Sequence, residues 1–351
     1  MSKSKLLYIH VGLSSFVNKD ILILSKKFEL DIFYFNLRKK TKLPWVFFTQ
    51  FLFLIAKIKS SSAIVIQFAG YHSFLPTYLS KFFKKKSIII LGGTDSVSFP
   101  SIKYGCFYKK YLRSFTKKSL IQADLLLPVA DSLIDCEYTY QDNDYPRQGY
   151  LYHAPEITTK VQTIYNGYDE NKWFFSSKKE NNSFVTVASD LGTIFGKKLK
   201  GIDLINEVAP FFPRCKFYII GGHKLDENFA ENVILLNNIE HNDLPKFLSE
   251  KEFYLQLSMS EGFPNALSEA MLSGCIPIVS NVGAMPFIVG EEGYVLKKKN
   301  AELLQDLIKM ALESNKKEKS IKSRKRIIDF FPLAKRETEL IESIEKIQLG
   351  I

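Results

Sequence analysis

Short apolar runs recur along this chain, each bounded by turn or charged residues and separated from the next by helix-like sequence. In the first half they are LLYIHVGL, FELDIFYFN, AIVIQFAG, SIIILGG and ADLLLPVA; in the second, SFVTVASD, CKFYIIGG, VILLNN, FYLQLS and IPIVSN. Strands that are apolar almost throughout must be covered on both faces, and intervening helices supply the cover. The expected fold is therefore α/β, with doubly wound parallel sheets. Helices are expected over GIDLINEVAPFF, HNDLPKFLSE, NALSEAMLSG and AELLQDLIKMAL. A chain of 351 residues suits two such domains. The boundary falls in TIYNGYDENKWF, where Asn166-Gly167 signals a turn. This divides the chain into 1–165 and 166–330, followed by a helix in 331–351 that is free to cross back to the first domain.

Charge is divided unequally. Residues 1–165 hold 23 Lys+Arg and 11 Asp+Glu, net +12; residues 166–351 hold 25 and 26, net −1. A basic first half points to an anionic partner. Cys106, Cys136, Cys215 and Cys275 stand far apart with no CxxC pair, which argues against a zinc site or disulfide framework and for a reducing compartment. The five histidines show no metal spacing. The apolar run that follows MSKSK is too short for a signal-peptide core and reads as a first buried strand. The stretch from 38 to 59, RKKTKLPWVFFTQFLFLIAKIK, has an aromatic-rich centre and basic ends. It is short for a membrane span and reads either as a core helix or as one lying on an anionic membrane surface. The lysines of SKFFKKKS add to the same basic half. No nucleic-acid-binding signature is present.

In open α/β sheets, ligands sit beyond the carboxyl ends of the strands. Five such ends are glycine-rich or polar: HVGLSS with Gly12, FAGYHS with His72, LGGTDS with Gly93 and Asp95, IIGGHK, and LSMSEGFPN. The last runs into EGFPNALSEAMLSGCIPIVS, residues 261 to 280, where Glu261 and Glu269 flank a helix start. Asn265 reads as the N-cap, Ala266–Ser273 as the helix and Gly274 as its stop, so that Glu269 falls in the first turn. Backbone N–H groups at a helix start favour a diphosphate. Carboxylates, as pure acceptors, suit sugar hydroxyls. The pattern points to a nucleotide sugar.

The stretch EGFPNALSEAMLSGCIPIVSNVGAMPFIV resembles the glutamate-x7-glutamate motif of glycosyltransferase family 4, retaining enzymes of the GT-B fold in which two Rossmann-like domains face across a cleft. KGIDLINEVA, TIYNGYDENKWF and ADLLLPVADSL are similar to further family segments, so the resemblance covers most of the chain. It implies that Glu269 holds the donor ribose and that Glu261 contacts the transferred sugar. The backbone of Gly262, Phe263, Pro264, Asn265, Ala266 and Leu267 wraps the donor, with Lys197 and Gly12 as further donor contacts. Lys200, before Gly201, neutralises the leaving diphosphate. Two positions depart from the family. Ser189 or Asp190 stands where an arginine is usual, with Lys197 or Lys198 as substitutes. Gly92 stands where a histidine is usual, leaving Asp95 as a catalytic candidate and His72 and Gly93 on the acceptor side.

The resulting expectation is transfer of a sugar from a nucleotide diphosphate sugar to a glycan acceptor, lipid-linked, in surface polysaccharide or glycoconjugate synthesis. It needs no metal or other cofactor. UDP is favoured over GDP as the donor base, and the location is cytoplasmic, peripheral at the inner face of the membrane. The rival readings are a nucleotide-sugar epimerase on the same fold and a non-catalytic, donor-binding membrane-associated protein.

Overall fold

The computed structural model describes residues 3–36, 40–188, 191, 194–221 and 228–350. Two compact units emerge. Unit 1 comprises residues 1–136, 147–166 and 334–351; unit 2 comprises 137–146 and 167–333.

Unit 1 is built on β1 (Lys5–His10), β2 (Glu29–Tyr34), β3 (Ala63–Gln67), β4 (Lys86–Leu91) and β5 (Leu125–Pro128). These form one parallel sheet in the order β2-β1-β3-β4-β5. Leu6 to Ile9, Ile64 to Ile66 and Ile88 to Leu91 are essentially inaccessible, as parallel strands covered on both faces require. The covering helices are α1 (Ser15–Lys27), α2 (Leu43–Lys57), α3 (Tyr71–Phe82) and α4 (Lys110–Gln122).

Helix α2 departs from the core-helix alternative. Only Gln50 and Leu54 along it are buried, while Trp45 is 65% exposed and Phe48, Phe51, Leu52 and Ile55 are also open to solvent. With the turn that follows it, the helical run Leu43–Ser60 is long and apolar enough, by length and composition, to cross a membrane.

Unit 2 carries β6 (Glu180–Val187), β7 (Lys216–Ile220), β8 (Val233–Leu236), β9 (Lys251–Gln256), β10 (Ile276–Ser280) and β11 (Tyr294–Leu296). They form a parallel sheet in the order β8-β7-β6-β9-β10-β11. Its helices are α5 (Ile194–Lys200), α6 (Ile202–Val208), α7 (Leu244–Ser249), α8 (Asn265–Leu272), α9 (Met285–Val289), α10 (Ala301–Glu313) and α11 (Lys316–Phe330). Four of these elements, α5, α9, α11 and β11, have no counterpart in the sequence reading. Strand β11 is three residues long between charged turns. Helix α11 is lysine-rich, and it seats itself with serines: Ser320 Oγ donates to the Gly274 carbonyl at 2.6 Å and Ser323 Oγ to that of Cys275 at 2.8 Å.

The last helix, α12 (Leu333–Leu349), belongs to unit 1 from Ala334 onward. Its Arg336 forms a bidentate pair with Asp20 at 2.8 and 2.7 Å, with both side chains almost wholly buried. The same guanidinium donates from Nη1 to the carbonyls of Ile164 and Tyr165.

Candidate active site

Strand β9 ends at Gln256, and the chain turns through 257–264 into α8. The polar residues on this path are linked. Tyr254 Oη donates to Gln256 Oε1 at 2.9 Å. The Gln256 amide donates to Ser258 Oγ at 2.8 Å and to Glu261 Oε1 at 3.1 Å. Ser258 Oγ donates to the same Glu261 oxygen at 2.8 Å, and Lys200 Nζ reaches it at 2.7 Å. Three donors therefore converge on Oε1, while Oε2 has no partner among the described residues. Burial holds the Tyr254 phenol well above its ordinary range, with the Glu261 and Glu269 charges acting in the same direction. It stays a donor, and that fixes the orientation of the Gln256 amide. Tyr254, Gln256 and Ser258 are absent from the sequence candidates. The signal that could have found them is a polar residue at every second position of an otherwise apolar strand, heading into a glutamate.

Lys200 is placed by backbone. It ends α5, and Gly201 follows in the left-handed region at φ 71°. A Cβ at Gly201 would collide with the Leu257 carbonyl, so only glycine lets this turn dock on the loop after β9. Met259 N donates to the Leu199 carbonyl at 2.8 Å and completes the junction. From the other side, Ala284 N donates to the Gly262 carbonyl at 3.1 Å, and Gly283, at φ 58°, leaves room for the Glu261 carbonyl.

Two details of the helix start need correction. Asn265 is the first helical residue, not the cap. Pro264 stands at the cap and offers no side-chain acceptor, while Asn265 Oδ1 accepts from Tyr168 Oη at 2.7 Å. Glu269 accordingly lies in the second turn, where it is 8% exposed. Phe263 is buried, stacked on Tyr168 and edge-on to Phe331. Leu267 is a core side chain, so only its backbone is available to a ligand. Lys197 is half-buried on α5. Lys198 is exposed, with its carbonyl accepting from Gly201 N. Ser189 and Asp190 lie outside the described residues.

The remaining candidates, Gly12, His72, Gly93 and Asp95, all belong to unit 1. Asp95 is buried, and its carboxylate accepts from the backbone N–H groups of Ala69, Gly92 and Gly93 at 2.9 to 3.3 Å. Burial raises it to about 6 against the pull of those donors. This is the geometry of a loop anchor: it staples the turn after β4 to the turn after β3. Gly92 packs against the Phe68 ring, which a Cβ would displace. His72 lies past the strand end, in the first turn of α3. It is buried and held neutral, down to about 4 through burial, with Nε2 against the Gln67 carbonyl at 2.8 Å. Its Nδ1, the Nδ1 of His10 and the Oε1 of Gln50 are buried without hydrogen-bond partners among the described residues. Gly12 is partly exposed, with open space where a side chain would stand.

Residues 169–327 match the family described as "Glycosyl transferases group 1". The O-antigen biosynthesis glycosyltransferase WclY of Escherichia coli is 25% identical over 167 residues, which is 44% of this chain and 47% of that protein. The capsular polysaccharide biosynthesis glycosyltransferase CapH of Staphylococcus aureus is 32% identical over 133 residues, 35% of this chain and 37% of that one. The chain spans less than half the length of the curated relatives it matches. Among solved structures, sucrose-phosphate synthase from Thermosynechococcus elongatus has a TM-score of 0.76 at 13% identity, covering 99% of this chain and 100% of that one. HepE of Anabaena in complex with UDP-glucose has a TM-score of 0.71 at 11% identity, covering 97% and 99%. At such identities the likeness is one of fold, the GT-B fold of two Rossmann-like domains.

Proposed function

We propose that this chain, whose residues 169–327 match glycosyltransferase group 1, is a retaining glycosyltransferase of family 4. It moves a sugar from a nucleotide diphosphate sugar to a glycan acceptor in polysaccharide or glycoconjugate synthesis. The observation that carries this reading is the Lys200–Glu261 pair at the mouth of α8, beside first-turn N–H groups that Pro264 leaves uncapped. The diphosphate lies against those N–H groups and Lys200, which stabilises the charge that develops as the sugar departs. Glu261 receives the sugar hydroxyls and Glu269 those of the ribose. The acceptor attacks from the face the leaving group vacates, and the diphosphate takes its proton. UDP is the favoured base; HepE, of the same fold, is described with UDP-glucose bound.

The experiment is thermal stabilisation of the pure protein by UDP and by GDP, with Glu269→Ala alongside. A rise in melting temperature with one nucleotide, absent in Glu269→Ala, supports the donor class and the site. No rise with any nucleotide or nucleotide sugar overturns the reading.

A second observation supports a lipid-linked acceptor at the inner face of the membrane. The exposed side of α2 presents Trp45, Phe48, Leu52 and Ile55, with Lys42 and Lys59 exposed at its ends. An apolar face with cationic flanks suits an anionic bilayer surface. Co-flotation with phosphatidylglycerol vesicles, but not with phosphatidylcholine vesicles, is the expected result. Flotation unchanged by Trp45→Ser with Phe48→Ser removes α2 from the account.

A further inference from the structure

The strands of unit 2 are parallel, so their amino ends share one edge of the sheet, opposite the carboxyl ends where Glu261 sits. At that amino edge lies a half-open pocket of about 420 Å³, lined by the starts of β6, β9 and β10 and by α11. The volume is within the range of small-molecule sites.

Its walls have two characters. Phe175, Ile276 and Ile321 are apolar, and Phe175 lies over Gly274, where a Cβ would meet its ring at 2.6 Å. The charged lining is Lys179, Lys316 and Lys317 against the one carboxylate of Glu252. Two of the lysines are engaged. Lys179 Nζ donates to the carbonyls of Ser249, Lys251 and Ser273 at 3.0 to 3.2 Å. Lys316 Nζ pairs with Glu252 at 2.9 Å. Lys317 has no partner among the described residues. The pocket therefore carries an uncompensated positive charge beside an apolar wall.

We propose that this pocket is a second ligand site, distinct from the donor site, that takes a small anion with an aromatic or aliphatic body. The anionic group meets Lys317 and the Lys316–Glu252 pair, and the body packs on Phe175 and Ile321. Carbonyl-bound Lys179 keeps the floor cationic without being free to move. The site bears on the end of α8 remote from the proposed donor contacts, because Lys179 and Phe175 touch Ser273 and Gly274.

The molecule supplies its own reporter. Its two tryptophans are Trp45 and Trp173, and Trp173 is buried two residues from Phe175. In a Trp45→Phe background, anilinonaphthalene sulfonate, an aryl sulfonate of the stated class, is titrated while its emission sensitised by Trp173 is read. The expected result is saturable sensitised emission that weakens by about tenfold in Lys317→Glu and by a smaller factor in Ile321→Ala. Glu269→Ala leaves it unchanged, which separates this site from the donor site. Absence of sensitised emission overturns the proposal, as does equal affinity in Lys317→Glu and the parent.

Discussion

Lys200 Nζ lies 2.7 Å from Glu261 Oε1, and the two half-buried groups neutralise one another. A lysine held this way is not free for a phosphate. It must leave its carboxylate, or share itself between carboxylate and phosphate, when an anion arrives. Glu261 is thus both the candidate sugar contact and the internal competitor for the cation.

Glu261→Gln should separate these roles. Removing the carboxylate charge frees Lys200, so UDP is expected to bind about tenfold more tightly, while transfer falls by about a hundredfold or more because the sugar contact is lost. Calorimetry with UDP and a turnover assay read the two effects. Weaker UDP binding in this variant would argue that Lys200 does not serve the diphosphate.

Ser258 and Gln256 both donate to Glu261 Oε1, and the proposed mechanism makes them its positioning residues. Ser258→Ala removes one of three donors to Oε1 and the acceptor of the Gln256 amide. The expectation is a loss of about 1 kcal/mol of stability and about tenfold in kcat, with little change in donor KM. Ser258→Thr should recover most of the rate. A change confined to KM would assign Ser258 to binding instead.

The Asp20–Arg336 pair makes the C-terminal helix part of unit 1. Asp20→Ala leaves a guanidinium buried without its counter-charge, at a cost of about 3–5 kcal/mol. Melting of the variant measures it. Asp20→Ala with Arg336→Leu should lie above the single variant, because no charge is then stranded.

Acid should destabilise unit 1 in a defined window. His72 and His153 are both held down at about 4 by burial, below the ordinary value of 6.5. The unfolded chain therefore binds more protons between about 6.5 and 4, and stability is lost as pH falls through that range. Asp95, raised to about 6 by burial, acts in the opposite sense: the folded state takes up its proton first, and stability is gained as pH falls from about 6 toward 4. Asp95→Asn removes this offset. Its melting temperature should fall more steeply with acid than that of the parent between pH 6.5 and 4, and parallel curves would contradict the assignment.

Much of this was legible from residue order alone. Apolar runs such as AIVIQ and SIIIL must be covered on both faces, and that requirement leads to parallel sheets whatever the surroundings. Glu261, Gly262, Pro264 and Glu269 stand within one turn-and-helix segment, so their shared neighbourhood is a local property. What needed tertiary structure was every relationship across distant sequence. Lys200 meets Glu261 because Gly201 docks on Leu257, 56 positions later in the chain. The segment 137–146 joins unit 2 while its flanks stay in unit 1, a division that contacts decide and composition does not. Asp95 reads in sequence as a catalytic candidate beside a glycine turn. The N–H groups of Gly92 and Gly93 are its near neighbours in the chain, and only the fold adds that of Ala69, 26 positions away, and makes it an anchor. Local pattern dictates which face a segment must bury, but the partner that satisfies a buried charge is chosen by how the elements pack.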